Sequence, residues 1–309
     1  MVDPNVSDGV SVTPHVLCPT GLSMENPCAW FPVVASHFPA GWLDDLRRSA
    51  CVAPLRSRVP LMFGTTAIGS LDDQFFCQIS AKYPANFSAL LWRSDAESGL
   101  AWNVLGNVDA TLDELAEALR LIESSGVAKQ WRNEKLAVRN TDGQRIGRVE
   151  RGACRALGIS AEAVHLVGCN ETQQIWIQKR ALTKTNDPGK WDTMVGGMIS
   201  AGDTLESALA RETWEEAGIT LDSTTNLRWR GRVGINRPNT IDGGVGYVDE
   251  RIDWFECLVP GDLRPISLDG EVEQFALVER AELKQMLASG AFTLEAAMIL
   301  VHYVSERPA

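Results

Sequence analysis

Arg211, Glu212, Glu215 and Glu216 stand within six positions of one another, with Asp203 a short way upstream. At about 100° per residue, Leu205, Ala208 and Leu209 define an apolar stripe on a helix. Two further turns of that stripe reach Glu212 and Glu216, with Glu215 beside them, while Ala210, Trp214 and Ala217 cover a second face. A run of charge usually marks a solvated face; here the carboxylates line up with the stripe that must be buried. Three carboxylates on one turn repel one another, and burial raises that cost. A divalent cation removes the conflict. An all-oxygen set suits Mg²⁺ or Mn²⁺, ions that bind a few carboxylates together with substrate phosphates. Glu212, Glu215 and Glu216 are therefore the candidate metal ligands.

The helix that carries them has readable ends. Asp203 is placed to cap it, Glu206 to complete a capping box and Gly218 to stop it. Ahead of it, residues 163–168 and 174–180 read as strands joined by a polar turn at Asn170, Glu171 and Thr172, and 191–195 leads into Gly196 and Gly197. Behind it come strand-like segments at 229–235, 251–258 and 272–278, then short helices at 282–288 and 293–304. Strands, an embedded helix and more strands predict a mixed sheet packed between helices.

Upstream, VPLMF, FSALLW and LAWNVLG read as strands, and residues 111–126 as a helix with Thr111 and Glu114 as its capping box and Gly126 at its end. The expected organisation is a polar, Pro/Ser-rich leader (1–28), a smaller α/β domain (29–152) and a second α/β domain (153–309). Trp131, Arg132, Asn133 and Glu134 form a polar-aromatic cluster that fits domain packing and substrate contact equally.

A net charge of −11 over 309 residues argues against non-specific binding to nucleic acid or an anionic membrane. An anionic small molecule then needs metal or local cations. Arg180, Lys179 and Lys184 lie a short way before the glycine pair, suited to phosphate or to a solvated strand end. Trp191 is a candidate substrate platform, although packing is the commoner role for such a residue. The seven cysteines are scattered and no CxxC occurs, which points to reduced cytoplasmic thiols rather than zinc or disulfides. No stretch approaches the roughly 20 apolar residues of a membrane helix. Oligomeric state stays open.

The spacing of Gly197, Asp203, Arg211, Glu212, Glu215, Glu216, Gly218 and Ile219 resembles the Nudix signature, with Asp203 in place of the usual glutamate and Thr213 at a normally aliphatic position. WIQKRALTKTNDPGKWDTMVGG is similar to a Nudix approach strand and loop, and DGEVEQFALVERAEL to the acidic loop and strand that close many Nudix sites. More narrowly, LAWNVLGN, WRNEKLAV, KTNDPGKWDTMVGG and DGEVEQF resemble two-domain, thiamin pyrophosphokinase-related Nudix proteins. Fungal and plant members of that group hydrolyse damaged thiamin diphosphates, the oxo and oxy forms, to monophosphates. The GxxxxGK[ST] loop of a kinase is absent.

The resemblance implies a Nudix α/β/α sandwich with a mixed sheet, and Mg²⁺-dependent cleavage of a small X-linked diphosphate. In that reading Glu212, Glu215 and Glu216 hold the metal, a backbone carbonyl near Gly196 and Gly197 adds a ligand, and Arg211 orients the glutamates. The general base lies among Glu215, Glu216, Glu271 and Glu273. A Nudix-fold isomerase, like isopentenyl diphosphate isomerase, would want a cysteine beside the diphosphate. A non-catalytic Nudix ligand-binding regulator would tend to have eroded glutamates, whereas these are intact. Trp131, Trp191, Trp229 and Trp254 are the expected faces for a compact aromatic or cationic head group.

Overall fold

The computed structural model describes residues 38–96, 99–239 and 245–305; the expected leader lies outside the described residues. Helix α1 (Trp42–Ala50) is followed by β1 (Arg58–Phe63), β2 (Thr66–Asp72), α2 (Asp73–Lys82), α3 (Pro84–Phe87), β3 (Leu91–Ala96) and β4 (Gly99–Val104). These strands form a four-stranded sheet in the order β2-β1-β4-β3. Next come α4 (Val108–Arg120), α5 (Val127–Gln130), the hairpin β5 (Lys135–Arg139) and β6 (Arg145–Glu150), and α6 (Arg151–Leu157). They share one core with the first sheet, in which Leu61, Phe76, Leu112, Leu115, Val138 and Leu157 are buried.

The second sheet comprises β7 (Ala161–Cys169), β8 (Ile175–Arg180), β9 (Trp191–Thr193) and β10 (Val195–Met198), then, after α7 (Leu205–Ala217), β11 (Thr225–Pro238), β12 (Tyr247–Leu258) and β13 (Val272–Val278). Helices α8 (Arg280–Ala288) and α9 (Leu294–Ser305) complete the described chain. The order is β11-β12-β7-β8-β13, with β10 on β7 and β9 on β8. β7 runs parallel to β12, and the other pairs are antiparallel. Successive side chains of a strand point to opposite faces. Ala163 and Val167 of β7 accordingly pack with α8 and α9, while Val164 and Leu166 pack with Ala208 and Leu209 of α7. The result is an α/β/α sandwich around a mixed sheet, with a smaller α/β region ahead of it.

Helix α1 departs from the expected order. It precedes the first sheet in sequence, yet Leu43 and Ala50 are buried in the core that holds Met298 and Val301 of α9. Burying a leucine there contributes about 2 kcal/mol, and an isolated nine-residue pattern cannot say which core receives it.

Three helix ends also differ from expectation. α4 begins one turn early, because the Asn107 side chain accepts from the Ala110 N–H at 3.1 Å; Thr111 lies inside the helix, buried and bonded to the Leu105 carbonyl. It ends at Arg120, and Gly126 (φ 73°) closes a separate turn. α7 is capped by Thr204 in a reciprocal box with Ser207, not by Asp203 and Glu206. The predicted stop at Gly218 holds, in the left-handed region at φ 63°.

Candidate active site

Asp203 is withdrawn from capping because an arginine competes for it. Arg211 donates to Asp203 twice, at 2.9 and 3.1 Å, and to Glu212 at 2.9 Å and Glu215 at 3.1 Å. It also reaches the Met198 carbonyl at 3.2 Å, tying α7 to β10. One guanidinium thus fixes three carboxylates, and the shorter Asp203 still reaches it. The other departure is equally accommodated: Thr213 is fully buried, and its hydroxyl donates to the Leu209 carbonyl at 2.6 Å. The expected second apolar face is not buried as a whole. Ala217 is inside, but Ala210 is exposed and Trp214 is 52 % exposed, because no element among the described residues covers that side of the helix.

The carboxylates converge on the glycine pair. A Cβ on Gly197 would lie 2.0 Å from the Glu212 carboxyl carbon, so only glycine fits there. Glu216 is 2 % exposed and accepts from the Gly196 N–H at 2.9 Å and from the Gln178 amide at 3.0 Å. Burial pushes Glu216 up to about 8, the Gly196 N–H only partly opposing it. Burial likewise pushes Glu212 up to about 7 against the pull of Arg211. Glu215 remains half exposed beside Arg211. Glu216 also comes within metal-sharing distance of Asp269 and Glu271, ligand oxygens of the three lying within 4.8 Å of one another. Buried carboxylates destabilised as anions, an all-oxygen donor set and a buried Gln178 Oε1 with no hydrogen-bond partner among the described residues together fit a hard divalent cation.

A cavity of about 290 Å³ opens from this point across the sheet. Gly196, Gly197, Glu212, Arg180, Lys184 and Glu271 border it. Arg180 is held by Asp192 at 3.3 Å and by the Asn186 carbonyl at 3.1 Å. Lys184 contacts Glu271. Burial works to raise the Glu271 pKa, but the Lys184 ammonium outweighs it and holds the carboxyl below its ordinary range. Glu273 and Lys179 pair with each other at 3.3 Å and do not line the cavity. Trp191 packs in the core beside Phe292 instead of facing it. Trp131, Trp229 and Trp254 do not line it either. Trp254 is buried, Trp229 donates to Asp253, and Trp131 stacks under Arg120. The expected aromatic walls are thus replaced by polar groups and aliphatic strand residues.

Several cavity residues carried no sequence signal. Arg151 and Arg155 come from α6, Arg237 from β11, Glu250 from β12 and Glu295 from α9. Asp269 opens the acidic DGEVEQF motif, from which only Glu271 and Glu273 were expected to act. His165, buried beneath Gly196, touches Thr193 at 2.8 Å and is kept below its ordinary pKa chiefly by burial. The upstream cluster at Trp131–Glu134 turns out to reach this neighbourhood. Arg132 donates to Thr185 at 3.0 Å, and Glu134 accepts from Ser200 at 2.6 Å and Arg151 at 2.7 Å.

An acid-bearing helix set against a glycine pair, at the edge of a mixed sheet enclosed by helices, defines a Nudix-type site. The NUDIX domain model matches residues 160–297. Nudix hydrolase 24, chloroplastic, of Arabidopsis thaliana is 23 % identical over 275 residues, covering 84 % of this chain and 71 % of its own. Nudix hydrolase 20, chloroplastic, from the same plant is 27 % identical over 190 residues, 58 % of this chain and 48 % of its own. The isopentenyl-diphosphate Delta-isomerase of Streptomyces avermitilis is 31 % identical over 160 residues, covering 51 % of this chain and 77 % of its own. A Deinococcus radiodurans crystal structure superposes with a TM-score of 0.44 at 22 % identity, over 55 % of this chain and 99 % of that one. The chain belongs to the Nudix family, and the hydrolases named among its relatives support a hydrolase acting on diphosphates. It spans between about half and seven tenths of the length of the two plant proteins.

Proposed function

We propose that this chain is a divalent-metal-dependent pyrophosphohydrolase of a small X-linked diphosphate. The observation that carries the reading is the convergence of Glu212 on Gly197 and of Glu216 on the Gly196 N–H at the edge of a polar cavity. Glu212 and Glu216 would hold Mg²⁺ or Mn²⁺, with Glu271 facing Glu216 across the cavity mouth. When bound, the ion neutralises diphosphate charge and acidifies an attacking water. Arg211 keeps Glu212 and Glu215 oriented, while Lys184 and Arg180 offer charge to phosphate oxygens. Glu271 and Glu215 are the carboxylates left free to take the water's proton. Among the described residues no cysteine lines the cavity, which favours hydrolysis over the isomerase chemistry. The five described cysteines are free thiols, in keeping with a cytoplasmic setting. No helix among the described residues is long and apolar enough to cross a membrane.

For the substrate we infer a damaged thiamin diphosphate, on the strength of the sequence segments that resemble the two-domain thiamin-related proteins. The expected products are the monophosphate and inorganic phosphate. The test is a panel of oxothiamin, oxythiamin and thiamin diphosphates, ADP-ribose and a nucleoside triphosphate with Mg²⁺, products identified by mass. The oxidised forms should show the highest kcat/KM. Faster cleavage of ADP-ribose or the triphosphate overturns the thiamin assignment, and cleavage of none overturns the hydrolase.

A further inference from the structure

The end of the cavity remote from α7 has a chemistry of its own. Across the sheet, Met198 of β10 pairs with Ala163 of β7, Ala163 with Ile252 of β12, and Ile252 with Val233 of β11. Arg237 lies further along β11, opposite Val248. It stands three strand spacings across, about 14 Å, and about 13 Å along the strand from the β10 row. A diphosphate held at Glu212 cannot bridge that distance; a head group must.

Between the two ends the cavity is bordered by Ala163, Ile252 and Val248, core side chains that are themselves buried and offer a ring only a narrow aliphatic edge. Most of the charges around it are already matched. Arg155 pairs with Glu250 at 3.1 Å and Arg151 with Glu134 at 2.7 Å. Arg237 and Glu295 are different. Both line the cavity, both are only partly exposed, and neither makes an ion pair or a side-chain hydrogen bond to another described residue. Burial, reinforced by the Glu250 carboxylate, raises the Glu295 pKa well above the ordinary carboxylate range, so near neutrality it can donate as well as accept. Glu295 feels the Arg237 charge and its own backbone N–H, but the remaining donors and acceptors of the pair are unmatched, and half-buried groups of that kind cost solvation that a matching ligand restores.

We propose that Arg237 and Glu295, beside the aliphatic edge of Ile252 and Val248, form the head-group subsite, and that it takes a planar heterocycle presenting a hydrogen-bond acceptor beside a donor. The proposal rests on the diphosphate being held at the Glu212–Glu216 end. It also gives the upstream region a part in specificity, since Arg155 of α6, ahead of the family-matched segment, fixes Glu250 beside Glu295.

The test compares wild type with Arg237→Met, Arg237→Lys and Glu295→Gln, folding being checked by circular dichroism. Against the best-cleaved heterocyclic diphosphate of the panel, Arg237→Met should raise KM about tenfold with little change in kcat, and Arg237→Lys should restore part of the loss. The inhibition constant of imidodiphosphate, which has no head, should stay within about twofold. Glu295→Gln should alter the preference between thiamin and oxythiamin diphosphate, whose rings differ in a donor and an acceptor. In metal-free calorimetry, thiamin monophosphate and AMP report on the head alone, and Arg237→Met should weaken the tighter of the two about tenfold. An unchanged KM, a parallel rise in the imidodiphosphate constant, or failure of wild type to bind either monophosphate overturns the subsite. Wild type that binds a monophosphate through Arg237 yet cleaves no diphosphate overturns the hydrolase and leaves the subsite standing.

Discussion

The two ends of the cavity are built in opposite ways. At the α7 end, one helix supplies Arg211, Glu212, Glu215 and Glu216, and a single guanidinium is shared among Asp203, Glu212 and Glu215. Negative charge is left over, some of it buried. At the other end, α6, β11, β12 and α9 each contribute one or two charged residues, and several are neutralised in pairs. The first arrangement stores an electrostatic conflict that a cation relieves. The second holds a more balanced set of donors and acceptors able to read the shape of a ligand. Chemistry can therefore be local in sequence, whereas recognition here has to be assembled from segments far apart.

The sharpest way to break this comparison is to remove one charge from the α7 end. Glu216→Gln keeps the shape and the contact with Gly196 but discards a buried anion, and turnover should fall by orders of magnitude in saturating Mg²⁺. Rates close to wild type would show that the buried conflict is structural and not catalytic.

A second test asks whether the mouth of the cavity belongs to the chemical end. Glu271 meets Lys184 and shares a candidate cation position with Glu216. If it takes the proton from water, Glu271→Gln should lower kcat about 100-fold or more while KM moves little. Should Glu271→Gln match wild type while Glu215→Gln is inactive, the base lies on α7.

The smallest effect is on stability. Glu216 and Glu212 hold protons in the folded, metal-free protein up to about 8 and 7, whereas in the unfolded chain they release them near 4.5. Between those values these two groups bind more protons in the native than in the unfolded state, so their contribution to stability falls as pH rises from 4.5 towards 8, while the buried His165 and His302, held below their ordinary pKa of 6.5, act in the opposite sense beneath that value. With EDTA present, thermal midpoints measured at acidic and mildly alkaline pH should differ on the order of 5 °C. Added Mg²⁺ should recover most of that loss at the alkaline value. A midpoint that rises with pH above about 6.5 without metal would contradict the burial of these two carboxylates as the source of the conflict.

Much of the α7 end was legible because helical geometry relates neighbours in sequence to neighbours in space. The register that aligned Leu205, Leu209, Glu212 and Glu216 was enough to place the carboxylates against the core. The helix start was misread for a related reason. Asp203, Thr204 and Ser207 all have capping chemistry, and the choice among them was made by Arg211, which draws Asp203 away. Trp191 could not be read at all from its own type, since whether an aromatic ring meets a ligand or a core depends on what packs over it. Here Phe292 and α9 do so.

The sequence by itself determined the acidic helix, its glycine partner, the alternation of strands around it and the class of chemistry these can perform. Each rests on contacts within a few turns or on period-two and period-3.6 patterning, which every residue carries locally. Only the tertiary structure decided that α1 docks on α9, that Asp269 joins Glu216 and Glu271, and that Arg237 and Glu295 share one cavity. Those juxtapositions arise from sheet order and from which helix faces find a partner. Both are settled by burial of the whole core, so no single segment contains the information.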